Sequence, residues 1–220
     1  MTLTATDPEL NCPLCPRLVA FREKWQAANP DWFNAPVPTF GVANPKLLVL
    51  GLAPGIRGAN ATGRPFTGDY AGDLLYATLK KFGFAEGEYL ARPDDGLTLL
   101  DTAISNAVRC VPPDNKPVGA EINTCRPFLL NTLRSYPDLK VVMALGRIAH
   151  DTFLRALGLR LSQYPFGHGA KHPLPSWEKQ SLILIDSYHC SRYNTNTGRL
   201  TTEMFETVFQ NIRQTVDEMA

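Results

Sequence analysis

Lys46-Leu-Leu-Val-Leu-Gly51 is a short, unbroken apolar run that stops at a glycine. A strand with one wet face alternates apolar and polar residues, so a continuous run predicts a strand buried on both faces of a parallel sheet. Thr98–Asn106, Leu139–Gly146 and Ser181–Ser187 read the same way. Between them the apolar residues recur with helical period over Ala71–Phe82, Gly119–Leu133 and Arg147–Leu157. Leu14–Ala28 predicts an N-terminal helix. Thr201-Thr-Glu-Met204, followed by Phe205, Val208 and Ile212, predicts a last helix ending near Met219. Strands alternating with helices imply an α/β fold with helices on both faces of the sheet. There is no internal repeat and no linker with a composition shift, so residues 1–220 are expected to form a single domain.

The chain has 220 residues, 44% hydrophobic and 20% charged, the balance of an ordinary globular protein. No apolar run approaches the roughly 18 residues that cross a bilayer, and Met1–Cys12 lacks a basic start followed by an apolar stretch. The expectation is a cytoplasmic protein with no membrane partner. The net charge of +1 gives no compositional case for nucleic acid, since positive potential on one face is hidden in a total.

Ligands of parallel sheets bind beyond the carboxyl ends of the strands, which directs attention to the segments after Gly51, Asn106, Gly146 and Ser187. Gly51 to Asp69 holds five glycines and two prolines in nineteen residues, a loop whose backbone can approach a ligand closely. It carries no Gly-Lys-Ser/Thr and no GxGxxG, so neither a Walker loop nor a dinucleotide fingerprint is present. Phe66 is a lone aromatic there, either a core anchor or a stacking platform for a flat ligand. Asp69 precedes a helix, where an aspartate caps the helix or holds water. Asn106 presents an amide at a strand end, able to read a donor and an acceptor at once. His189 opens an Asn/Thr/Gly-rich loop and can donate to a developing anion. No Gly-x-Ser-x-Gly elbow or His-Glu-x-x-His is found, which leaves triad hydrolysis and zinc peptidase chemistry without support.

Four of the five cysteines fall into two local pairs, Cys12 with Cys15 and Cys110 with Cys125. Without a secretory start, disulfides are not expected. Two thiolate clips suit a four-coordinate zinc or an iron–sulfur cluster, and the spacing does not separate them, although the wide second pair leans towards a cluster. Cys190 stands alone and reads as a small hydrophobe.

Taken together, Cys12-Pro-Leu-Cys15-Pro-Arg-Leu18, Gly51-Leu-Ala-Pro-Gly55, Arg64-Pro-Phe-Thr-Gly-Asp69, Ala107-Val-Arg-Cys110-Val-Pro-Pro113 with Asn115-Lys-Pro117, and Ser187-Tyr-His189 with Asn194-Thr-Asn-Thr-Gly198 resemble the family 5 uracil-DNA glycosylases, in the family's order and over nearly the whole chain. The resemblance implies a three-layer α/β/α fold on a central, mainly parallel four-stranded sheet. It implies a [4Fe-4S] cluster on Cys12, Cys15, Cys110 and Cys125. It implies a monofunctional enzyme that flips uracil, and also hypoxanthine and other deaminated bases, out of DNA and hydrolyses the N-glycosidic bond to leave an abasic site. Phe66 matches the stacking position, Asn106 the base-reading amide, and His189 the donor to the departing base. Asp69 matches the carboxylate that orients water, and Asn115 a further polar catalytic position. Gly51, Ala53 and Gly55 match the loop whose backbone lies against the base. Related glycosylases carry an acid or amide inside that loop, where Leu52, Ala53 and Gly55 stand here. Arg57, Arg64, Ser191, Arg192 and Asn194 are expected to meet DNA, with the Ser191–Gly198 loop entering the duplex. Lys116, Lys171 and Arg199 are expected on the same basic face. The protein is expected to act as a monomer on DNA containing deaminated bases. The rival expectations are a cluster-bearing nucleic-acid-binding or redox-sensing module without glycosylase activity, and a zinc-stabilised α/β hydrolase acting on a small nucleoside.

Overall fold

The computed structural model describes residues 6–219. Helix α1 (Pro16–Ala28) opens the chain, with Cys15 as N-cap and Pro16 at the first helical position, where its missing N–H costs nothing. Then come β1 (Phe40–Gly41), β2 (Leu47–Gly51), the four-residue α2 (Ala59–Thr62) and α3 (Tyr70–Lys81). A small hairpin, β3 (Ala85–Glu86) and β4 (Thr98–Leu99), precedes β5 (Thr102–Asn106). Next are α4 (Gly119–Arg134), β6 (Val141–Leu145), α5 (Arg147–Ala156), β7 (Lys171–Pro173) and β8 (Ile183–Ser187). The short α6 (Arg192–Asn196) and the long α7 (Thr202–Glu218) close the fold.

The sheet runs β1-β5-β2-β6-β8-β7. Its four inner strands are parallel, as the apolar runs require, and every residue of β2, β5 and β6 is buried. The expected four strands become six because β1 and β7 add on antiparallel at the two edges. Neither was legible: two and three residues long and partly exposed, they carry no apolar run. The predicted strand Thr98–Asn106 is in fact two. Asp101 takes a left-handed φ of 50°, and its carbonyl accepts from the amides of Lys46 and Leu47, turning the chain out of the hairpin and into the sheet.

Alternate residues of the strands serve two cores. Leu47, Val49, Ile104 and Met143 pack with Leu75 and Leu79 of α3 and Phe205, Phe209 and Ile212 of α7. Leu48, Leu50, Val142 and Leu184 pack with Leu129 and Leu133 of α4 and Phe153 of α5 on the other face. That gives the three-layer α/β/α arrangement. Among the described residues no helix is long and apolar enough to cross a membrane.

The loop after β2 is fixed from beneath by a buried ion pair. Arg64 Nη1 and Nη2 donate to the two carboxylate oxygens of Asp95 at 2.8 and 2.7 Å, and Asp95 also accepts from the amides of Leu90 and Leu97. Bonding to Arg64 holds the Asp95 carboxyl far below the usual carboxylate range. This corrects the expectation for Arg64: at 4% exposure it faces Asp95 and Thr67, with no path to a phosphate. Asp95→Ala would strand a buried guanidinium and is expected to cost about 3–5 kcal/mol in urea unfolding. A loss under 1 kcal/mol would mean that the loop is held by something else.

Candidate active site

The carboxyl ends of β2, β5 and β8 open on a pocket of about 420 Å³. Ala53, Gly55, Phe66, Asp69, Asn106, Asn115, His189, Ser191 and Arg192 all line it, so nine of the expected site residues meet in one place. Gly51 lies directly beneath. A Cβ there would collide with Asn106 Oδ1 and come within 2.8 Å of Phe66 Cζ, so the glycine makes room for both side chains.

Asn106 ends β5 beside Gly51 in register. It is 3% exposed, and its Oδ1 has no hydrogen-bond partner. Buried polar atoms in native proteins are almost always paired, so an orphan aimed into a pocket marks a place for a ligand donor. Phe66 sits at a φ of 51°, a conformation rarely adopted outside glycine. Its carbonyl accepts from Tyr89 Oη at 3.2 Å, and the preceding Pro65 carbonyl accepts from Tyr76 Oη at 2.6 Å. With Arg64 and Asp95 on the other side, these bonds force the ring against the pocket. Phe66 and His189 lie with ring centroids 6.0 Å apart, tilted by 33°.

Asp69 caps the helix that follows it. Its Oδ1 accepts from Gly72 N at 3.2 Å as the N-cap of α3, and Oδ2 turns towards Gly55 and Gly58, where any side chain would crowd it. Burial raises its pKa above the ordinary carboxylate value, and Asp73 adds to this. His189 is half-buried, its ring nitrogens have no partner among the described residues, and burial lowers its pKa to about 4. It is therefore a neutral imidazole at neutral pH. Asn194 Nδ2 donates to the His189 carbonyl at 2.8 Å, and His168 Nδ1 accepts from Tyr188 N at 3.1 Å, which fixes the backbone that presents the imidazole.

The rim divides into free and engaged groups. Arg57 is exposed on a neighbouring hollow that includes Asp69, and Arg192 is exposed with its guanidinium 5.2 Å above the Tyr70 ring. Asn115 is exposed, next to Asp114, both left-handed. Ser191 Oγ caps α6, so the predicted Ser191–Gly198 loop is largely one short helix, and Asn194 is turned inward to His189. Lys171 Nζ is engaged within the fold, donating to Thr215 Oγ1 of α7 at 2.8 Å. Tyr70, Tyr193 and Arg147 escaped the sequence reading. Tyr193 is 72% exposed on α6, and Arg147 lines a second hollow on the far side of His189 with Arg199. An aromatic directly after Asp69, and one directly after Arg192, were the available signals.

The four paired cysteines converge elsewhere. Cys12, Cys15, Cys110 and Cys125 line one apolar hollow with Leu18, Val108 and Phe128. Burial pushes the Cys110 thiol up to about 12 and Cys15 to about 11, and Cys125 rises as well; each is raised further by others of the four. Arg109 N points at Cys125 Sγ from 3.4 Å, and Arg22 Nη1 at Cys110 Sγ from 4.0 Å. Four thiol donors around one apolar hollow fit a metal–thiolate centre. Cys190 is fully buried in the α3/α7 core, with Sγ donating to Ala71 O at 3.4 Å.

A three-layer α/β fold whose strand ends present an unpaired amide, an aromatic ring, a half-buried carboxylate and a neutral imidazole has the site of a protein that binds a flat polar ring. The family model of the uracil DNA glycosylase superfamily matches residues 38–213. A protein named Type-5 uracil-DNA glycosylase from Thermus thermophilus is 45% identical over 210 residues, covering 93% of this chain and 90% of that protein. A protein of the same name from Mycobacterium bovis is 39% identical, covering 92% and 77%. A Type-4 uracil-DNA glycosylase from Sulfurisphaera tokodaii is 29% identical, covering 78% and 72%. The chain belongs to the uracil DNA glycosylase superfamily.

Gly51→Ala tests the cradle. The added methyl should displace Asn106 and Phe66 and lower single-turnover excision of uracil by at least about 10²-fold, the cost of misplacing a reacting group. An unchanged rate would show that neither side chain needs its present position.

Proposed function

We infer that this chain excises uracil from DNA by hydrolysing the N-glycosidic bond. The unpaired Asn106 Oδ1 beside the Phe66 ring carries the reading: it can accept from a ring N–H of a base while Phe66 covers the base's face. The base must leave the stack to reach this depth. Arg57 and Arg192 lie exposed at the mouth to meet phosphates, and Tyr193 on α6 is placed to enter the gap in the stack. Hypoxanthine and other deaminated bases share the flat ring and amide-like edge, and belong to the same substrate class.

As the glycosidic bond breaks, its electron pair moves onto the base and positive charge spreads over the sugar. His189, neutral and without a competing partner, donates to the oxygen that becomes anionic. Asp69, ionised, faces the sugar side, where it stabilises the cation, orients water and takes its proton as the water oxygen bonds to the anomeric carbon. Among the described residues no lysine lines the pocket, so the reading has no Schiff base and leaves the DNA backbone intact.

The four cysteines support a [4Fe-4S] cluster as the resident group. Cys12, Cys15, Cys110 and Cys125 would hold it, and its role would be structural, tying the start of α1 to the segment after β5 and to α4, outside the base pocket.

The test is release of free base from a panel of oligonucleotides containing uracil, hypoxanthine and undamaged bases. Uracil should be released to leave an unbroken abasic strand. No release from any member would overturn the reading. The carboxylate form of Asp69 is lost as pH falls through its raised pKa, so the rate should fall on the acid side at a pH above the ordinary carboxylate value. Asp69→Asn should lower the rate about 10²-fold or more and remove that limb. His189 should add no limb near neutral pH. A limb that persists in Asp69→Asn would assign it to another group.

A further inference from the structure

We propose that Arg22 is the counter-ion of the metal–thiolate centre, the buried cation that makes this hollow retain an anionic cluster. The proposal rests on the cofactor reading above. Arg22 projects from α1 and is only 5% exposed. Its Nη1 and Nη2 both donate to the Cys12 carbonyl at 3.2 Å, and Nη1 points at Cys110 Sγ from 4.0 Å. Among the described residues no carboxylate pairs with it.

Two other charged groups near the hollow are paired. Arg109, fully buried, has Asp7 Oδ1 at 3.1 Å. Glu121 pairs with Arg17 at 2.7 Å. Among the described residues Arg22 is the one guanidinium aimed at a sulfur of the four, and no carboxylate balances it. A buried cation without a partner is expensive, and four neutral thiols cannot compensate it. Four thiolates on a metal core carry a net negative charge that can. The guanidinium then acts in two ways: it lowers the energy of the loaded anionic centre, and through the Cys12 carbonyl it holds the first clip in place.

The experiment uses the full-length protein purified anaerobically and compares wild type with Arg22→Met and Arg22→Lys. Four readouts are taken: iron and sulfide per chain, visible absorption, rate of iron loss to a chelator, and midpoint potential. Outer-shell partners of metal ligands typically set about 10- to 100-fold in affinity, so Arg22→Met should lose iron at least about 10-fold faster than wild type. Its potential should shift to more negative values, because a cation that favours the reduced, more anionic state has gone. Arg22→Lys keeps the charge and should restore most of the retention and the potential. Base excision by the loaded fraction of each variant should match wild type. If Arg22→Met holds its iron as tightly as wild type, at the same potential, the proposal fails. If Arg22→Lys is as defective as Arg22→Met, shape and not charge is the cause, and the proposal fails. A wild-type protein with no metal at all would overturn both the cofactor reading and this proposal. Uracil release from that same sample would show that the glycosylase reading survives.

Discussion

The carbonyl oxygen of the Asn106 amide is buried at the end of β5 with nothing to accept from. Leaving such a group unpaired costs on the order of 1–3 kcal/mol, and the fold holds it there. Much of the surrounding architecture follows from that one constraint. Parallel pairing sets Gly51 beside Asn106, and the missing side chain of Gly51 opens the space above the amide. The ring of Phe66 then closes the space from the side, in a backbone conformation that only a strongly braced loop would keep.

That bracing is polar and lies outside the pocket. The Arg64–Asp95 pair, the hydroxyls of Tyr76 and Tyr89, and the closeness of Gly72 to the Phe66 carbonyl hold one short segment from several sides. A rigid site limits reorganisation when the base arrives, which is how preorganised dipoles contribute most to catalysis. The chemistry follows the same logic. Burial pushes the Asp69 carboxyl up and the His189 imidazole down within one pocket, and leaves the imidazole neutral at neutral pH.

Much of this was legible in the order of residues along the chain. Continuous apolar runs revealed the four parallel strands because burial on both faces leaves no polar alternation. The rule that ligands sit at strand ends draws Phe66, Asp69, Asn106 and His189 together from the sequence alone. The edge strands β1 and β7 were not legible, since strands this short have no period to detect. Arg64 was misplaced because a charged residue in a glycine-rich loop reads as exposed, and its partner Asp95 lies 31 residues away. Asn194 and Lys171 failed in the same way: each is held by a residue from elsewhere in the fold. Local pattern locates elements, whereas the pairing of polar side chains depends on contacts that the pattern does not encode.

The most direct measurement of the central claim is made on Asn106→Leu, which keeps the side chain's approximate shape and removes the orphaned polar atom. Thermal unfolding and single-turnover uracil release are followed on the same preparation. A residue kept for its ligand and not for the fold should leave the melting temperature unchanged or raised while excision is lost. A lowered melting temperature with excision retained would show that the amide serves the fold, and would contradict the account.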